Sequence, residues 1–399
     1  MTAPTKPALW TPSFILACVA NFLLGMSFYL LMPTLPFHLT EALQADAATV
    51  GLILSSYVLA ALLVRPFSGF IVDRFNAKHA YLVALGAYVL CTAGYLGAQT
   101  VLAFIVVRLG IGLTFAVLST ASNTQAIDIV PSARRGEGIG FFGLMSSLAM
   151  ALGPMAGLWL MDHVPFEWIF YAAVAAGAGG WLFACLVHSP RKQRATVATV
   201  LSLDRFLLVK GVPLALNLAL IGLGYGMVLA FAAIHGKQVG VSNTGMFFTL
   251  MAVGMMISRA FSGRLLDGGR VVLATNGGTA VVVAGLLAMA AAQGPWLYFC
   301  SGVLVGFGFG VIYPAYQTMM VSLGGHAQRG TAVATYFSAL DVGIGLGMLV
   351  SGVIAARIGL AAAFASGALL AAVAGMVFAG RLSRGPIGAP AQAPTAEPK

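Results

Sequence analysis

Apolar runs of about 20 residues, each long enough to cross a ~30 Å hydrocarbon core, recur from Ser13 to Ala379, and about twelve can be counted. They are continuous rather than alternating, so the backbone must satisfy itself within helices and not in a barrel. The runs are Phe14 to Met32, Val50 to Val72, His79 to Ala98, Leu102 to Ile127, Gly138 to Met161, Trp168 to Val187, Val212 to Ile234, Gly245 to Leu266, Val271 to Ala292, Trp296 to Leu323, Thr331 to Ala356 and Leu360 to Gly380. Pro33-Thr34-Leu35-Pro36 is expected to stop the first, because proline lacks the backbone donor. That run exceeds a signal peptide's apolar core and has no clear cleavage site after it, so a retained helix is expected. Polar interruptions are not spread evenly. Segments 3, 6, 9 and 12 have no ionisable residue in their interiors, whereas Asn21, Arg65, Arg108, Asn123, Gln125, Asn217, Arg259, Gln317 and Asp341 fall in the others. Polar side chains in a bilayer face protein or water, so every third helix is expected to face lipid while the rest surround a central path.

The pattern also repeats on a longer scale. Arg65-Pro66-Phe67-Ser68-Gly69 and Asp73 recur 194 positions later as Arg259-Ala260-Phe261-Ser262-Gly263 and Asp267. The same shift pairs Gly51 with Gly245, Gly112 with Gly306, Arg135 with Arg329, Gly136 with Gly330 and Gly153 with Gly347. A repeat of half the chain in an apolar sequence implies a duplicated membrane bundle. The expected organisation is an N-terminal tail over 1–12, a six-helix bundle over 13–187, a linker over 188–210, a second bundle over 211–380 and a tail over 381–399 too rich in Pro and Ala to order itself. The linker has a weakly amphipathic patch, Val197 to Leu208.

Composition agrees with a polytopic membrane protein. Hydrophobic residues are 60%, charged residues 8%, and the mean hydropathy is +0.95. The net charge of +10 sets orientation rather than a nucleic-acid partner. Lys6, Arg74, Lys78, Arg134, Arg135, Arg191, Lys192, Arg194, Arg205, Lys210, Arg264, Arg270, Arg329, Arg381, Arg384 and Lys399 fall in alternate loops and the two tails, against Lys237 and Arg357 in the others. By the positive-inside rule, both termini and the long middle loop are cytoplasmic and the chain is a multi-pass protein of the inner (plasma) membrane. Cys18, Cys91, Cys185 and Cys300 have no pairing or metal spacing, and the six histidines form no ligand pair, so no metal and no cofactor is expected.

Three motifs carry a resemblance to the major facilitator superfamily, over residues 10 to 380. Gly69, Asp73, Arg74 and Lys78 resemble its loop 2–3 signature, with a shortened echo at Gly263, Asp267 and Arg270. Arg108 and Gly112 are similar to its fourth-helix Arg-x-x-x-Gly, and Ala149, Gly153, Pro154 and Gly157 to the fifth-helix motif of its antiporter branch. Asn76 and Ala77 depart from the usual Gly and Arg, although Asn tolerates left-handed backbone. The resemblance implies an all-α membrane protein of twelve transmembrane helices in two pseudo-symmetric six-helix bundles, and a secondary active transporter. In the family the fifth-helix motif marks exporters.

Physically, Arg65, Gly69 and Asp73 lie four apart on one helix flank. Asp73 is expected to reach the start of segment 11 near Thr331, where free N–H groups attract a carboxylate, and Asp267 the start of segment 5 near Gly138. Such latches would gate the cytoplasmic side; the plainer reading is that these charges only set topology. Arg65 and Arg259 could likewise snorkel to the interface. Pro154 removes the helical partner of the Met150 carbonyl, so with Gly153 and Gly157 it is expected either to bend segment 5 or to let a neighbour approach.

Arg108 and Asp341 are the full charges expected well inside the membrane, at a cost of ~3 kcal/mol or more if unpaired. Whether they pair is left open by the sequence. Asn21, Asn123, Asn217, Tyr225, Tyr313 and Gln317, with further aromatic residues, suit a largely apolar cavity with few polar anchors. An amphipathic organic solute, protons and the lipid bilayer are the expected partners, and a monomer is expected. Proton-coupled export is weighed against proton-coupled uptake of a metabolite. Segments 1 and 7 have no carboxylate and Asn21 and Asn217 cannot carry a proton, which weighs against proton coupling; if the chain is proton-coupled, Asp341 is the group expected to exchange the proton. An intramembrane enzyme lacks any supporting motif, such as His-Glu-x-x-His.

Overall fold

The structure, a computed structural model, describes residues 8–131, 134–189, 207–267, 269–324 and 329–384. The side chains of Asp73, Arg74 and Asp267 and the surroundings of Gly69 and Gly263 lie outside the described part, as do most of the linker and the final tail. Among the described residues the fold is helical throughout: α1 (Pro12–Leu31), α2 (Leu35–Glu41), α3 (Ala47–Phe75), α4 (Ala77–Ala93), α5 (Val101–Ile129), α6 (Arg135–His163), α7 (Glu167–Leu186), α8 (Val212–Gln238), α9 (Gly245–Asp267), α10 (Val271–Ala290), α11 (Pro295–Gly324), α12 (Arg329–Arg357) and α13 (Leu360–Gly380). Among the described residues eleven spans are long and apolar enough to cross a membrane, and α9 has a shorter apolar stretch, Gly245–Arg259.

The chain is punctuated by local chemistry. Thr11 caps α1 through a bond from the Phe14 N–H, Asp46 caps α3 through Thr49, and Thr100 caps α5 through Ala103. Pro33 to Pro36 does end α1, but Pro36 then opens the separate short helix α2, since proline is suited to a first turn. Asn76 takes a positive φ of 72° between α3 and α4, and its side-chain oxygen accepts from the Lys78 N–H.

Packing follows small residues. A Cβ built on Gly112 of α5 would collide with the carbonyl oxygen of Tyr57 on α3, and one on Gly306 of α11 would collide with that of Met251 on α9. These contacts are related by the 194-residue shift seen in the sequence. Gly153 of α6 meets Tyr29 on α1, and its counterpart Gly347 of α12 meets Leu223 on α8, under the same shift. Within the first half α1 packs on α6 and α7, and α3 on α5; within the second α8 packs on α12 and α13, and α11 on α9 and α10. The halves meet chiefly through α3 against α12 and α6 against α9.

Helices α4, α7, α10 and α13 make their main contacts within their own half and turn Val83, Leu90, Leu182, Leu273, Leu369 and Met376 outward. By contrast α8 is buried over most of its length.

Candidate functional site

The two halves are sealed at the face that carries the loop between α2 and α3. Gly51 of α3 and Gly352 of α12 each bring the other's Cα within about 3 Å of where a Cβ would stand, and Val58 packs over Gly345. Gly245 at the start of α9 lies against Met155 and Leu158 of α6. Over this seal α2 lies with Leu35 and Leu39 fully buried, and the Lys237 ammonium sits 4.4 Å from the Phe37 ring centroid. Deeper in, the Tyr225 hydroxyl on α8 donates to the Met150 sulfur on α6 at 2.8 Å. Two hollows of about 440 and 200 Å³ open on this same face, lined by residues such as His38 and Glu167 in one and Phe231 and Ile234 in the other. None of the site residues expected from the sequence lines them.

Near mid-membrane a charge pair crosses between the halves. Arg65 on α3 forms an ion pair with Asp341 on α12, both well covered at 5% and 15% side-chain exposure. Arg65 also donates to the Ser119 hydroxyl at 3.4 Å and lies 5.6 Å from the Phe337 ring centroid. Arg65 is ten residues from the end of α3, roughly 15 Å at the helical rise, and Asp341 is twelve residues from the start of α12, roughly 18 Å. The two antiparallel helices therefore bring them to one level, and Arg65 does not snorkel. Burying either charge alone would cost several kcal/mol, so the pair holds the two helices in register.

Arg108 is not Asp341's partner. It stands seven residues into α5 from the sealed face, roughly 10 Å deep, while Asp341 is sixteen residues from that end of α12, roughly 24 Å. The Arg108 guanidinium instead donates to the carbonyls of Leu54 at 3.0 Å and Ile53 at 3.5 Å and stacks 4.8 Å from the Tyr57 ring centroid.

The remaining candidates divide by what their polar atoms do. Asn21 donates to the Phe142 carbonyl and the Ser146 hydroxyl, tying α1 to α6. Asn217 donates to the Ala374 carbonyl and accepts from the Tyr316 hydroxyl at 2.5 Å, tying α8 to α13 and α11. Their donors are occupied by the fold. Asn123 is exposed and donates to the Ser119 carbonyl, and Gln317, its counterpart under the 194-residue shift, is half-buried. Tyr313 packs against Tyr225 and Phe309, and its buried hydroxyl has no partner among the described residues. Phe28 stacks on Phe115 and meets Tyr29 and Tyr57, giving the first half an aromatic cluster of its own.

Of the gating candidates, Lys78 donates to the Cys185 carbonyl at the end of α7, neutralising a helix C-terminus within its own half. Arg270 is exposed at the start of α10, after Gly269 turns the chain with a φ of 71°. Gly153 and Gly157 admit Tyr29 and Leu30 of α1, and Pro154 lies inside the continuous helix α6.

A duplicated helical membrane bundle with a charged crossing at its centre defines a transporter of the two-halved kind. The chain belongs to the Major Facilitator Superfamily, whose profile matches residues 17–344 and, in a second alignment, 270–399. A protein of Pseudomonas aeruginosa (strain LESB58) described as an MFS-type transporter is 26% identical over 370 residues, 88% of this chain and 89% of its own length. Among solved structures, the nucleoside transporter NupG is similar with a TM-score of 0.75 at 16% identity, covering 94% of this chain and 100% of that one. The D-xylose-proton symporter has a TM-score of 0.74 at 14% identity, covering 93% and 97%. The chain is thus a multi-pass membrane transporter of small molecules and not an enzyme.

Proposed function

We propose that this transporter exports a small amphipathic organic compound by alternating access, with residues 13–187 and 211–380 rocking as two units, and that proton uptake at Asp341 drives it. The observation that carries the reading is the Arg65–Asp341 ion pair between the halves. With the carboxylate ionised, the pair favours the arrangement sealed at the α2 face. A proton on Asp341 removes the attraction, leaves a buried arginine without its counter-charge, and so favours parting of α3 from α12. The proton enters Asp341 from outside while the outer face is parted and leaves to the cytoplasm after that face has resealed, which restores the pair. In this scheme the basic loops place the sealed face outside and both termini in the cytoplasm. The fifth-helix motif, on which α6 meets α1, supports export, and the aromatic clusters around Phe28 and Tyr313 supply a mostly apolar path.

Uptake is the second reading. Its support is the likeness in fold to a D-xylose-proton symporter, and it uses the same pair with the solute moving alongside the proton.

Everted membrane vesicles containing the protein, a pH-gradient dye and a panel of amphipathic compounds test both. Under export, an added substrate dissipates an inside-acid gradient and accumulates within the vesicle; under uptake, proton and solute leave together. Asp341→Asn should abolish gradient-driven movement while leaving substrate exchange down its own gradient. Undiminished proton-coupled transport by that variant would remove Asp341 from the coupling role.

A further inference from the structure

The two arginines that the repeat places in equivalent positions meet different fates. Arg65 closes the stripe Leu54, Val58, Ala61, Arg65 on α3, all of it buried. The 194-residue shift turns this into Phe248, Ala252, Met255, Arg259 on α9. Phe248, Ala252 and Met255 are buried too, yet Arg259, one turn further on, is exposed. The exposed apolar residues of α9 are Met246, Val253 and Ile257 on the side opposite this stripe and Met256 on its flank. Residues four, three and four apart share a helical face, so Arg259 points where its buried predecessors point, into the protein, and its exposure is to an opening there. Asn123 shows the same behaviour on α5: it continues the face of the buried Gly112 and Ala116 and is itself exposed. Tyr225 of α8 reaches across to Met150 of α6, the helix of the first half that packs on α9.

Among the described residues the counter-charge has no equivalent on this side. Asp341, which neutralises Arg65, corresponds under the shift to Ser147, whose hydroxyl donates to its own helix at the Gly143 carbonyl. Among the described residues no carboxylate pairs with Arg259. Arg65 and Asp341 pair with each other, so among the described residues Arg259 stands without a carboxylate, on a helix packed against α11, which carries Phe309 and Tyr313.

We propose that Arg259 anchors the anionic group of the transported solute, which is an amphipathic organic anion such as an aromatic carboxylate, with its ring against Tyr225 and Tyr313. A guanidinium presents paired N–H donors that match a carboxylate, and a partly dehydrated site makes such a bond selective against a neutral isostere. The substrate thus supplies at Arg259 what Asp341 supplies at Arg65. This assignment rests on the reading of the chain as a carrier of a small organic solute, and it holds for either direction of transport.

The test is binding of 2-naphthoate and of its neutral amide, 2-naphthamide, to the purified full-length protein by titration calorimetry. The wild type should bind the carboxylate about tenfold more tightly than the amide, and raised salt should narrow the gap. Arg259→Gln should bring the two affinities together, and Arg259→Lys should keep most of the preference. Arg259 is exposed, so both variants are expected to accumulate normally; the wild-type ratio stands without them. Equal affinities in the wild type, no binding of either probe at millimolar concentration, or an unchanged ratio in Arg259→Gln would each overturn the assignment. Proton movement is not read in this experiment. Loss of the coupling scheme would leave the binding preference intact, and a carrier of neutral compounds alone would lose this assignment while remaining a transporter.

Discussion

Arg65 on α3 is ion-paired with Asp341 on α12, so the buried charge contact joins the first half of the chain to the second rather than closing within either. Its energetic signature follows from desolvation. Arg65→Ala should destabilise the detergent-purified protein by about 3–5 kcal/mol, because it strands a buried carboxylate. Replacing both partners, Arg65→Met with Asp341→Leu, should recover most of that loss. Thermal unfolding of the two singles and the double checks it: additive losses would mean the pair is not coupled.

The glycine contacts predict a matched pair of defects. Gly112→Val and Gly306→Val each drive side-chain carbon into a backbone carbonyl, of Tyr57 and Met251 respectively, and neither helix can yield without shifting. Each should cost about 1–3 kcal/mol or more of stability by overpacking, with similar magnitude in the two halves. Expression level and unfolding temperature are the readouts, and a silent Gly306→Val would break the structural equivalence.

Asn217 should behave as a brace rather than a specificity residue. Its amide bonds Ala374 and its carbonyl accepts from Tyr316, so Tyr316→Phe removes one buried donor and Asn217→Ala leaves two groups unsatisfied. Losses of about 1 kcal/mol and about 1–3 kcal/mol respectively are expected, with the ranking of transported compounds unchanged. A changed ranking would return Asn217 to the substrate path.

Asp73 closes the last turn of α3, and the latch proposed for it predicts that Asp73→Asn lowers transport without lowering the amount of protein in the membrane. Asp267→Asn should show a milder loss. Wild-type turnover by Asp73→Asn in vesicles would reduce that carboxylate to a topology signal.

Much of this architecture was legible in the sequence because it depends on periodicity. Twelve apolar runs, a repeat without insertions and paired glycines such as Gly112 and Gly306 are properties of position alone. The partner of Asp341 was not legible, since α3 and α5 each carry an arginine and only helix depth separates Arg65 from Arg108. The bond from Lys78 to the end of α7 was not legible either, since Cys185 lies more than a hundred residues away. The short helix α2 was hidden by its prolines, which read equally well as a stop and as a start. Arg259 was visible as a repeat of Arg65, but its exposure was not, since it depends on how α6 packs on α9 where α12 packs on α3.

The seal between Gly51 and Gly352 has a consequence for speed. Each glycine stands where a Cβ would press on the other's Cα, so what touches there is main chain, with no rotamers to freeze on closing or release on opening. A long side chain immobilised in such a joint would lose up to about 2 kcal/mol of conformational entropy at every closure. This joint loses none, and works as a dry bearing whose surfaces are already in their final shape before they meet.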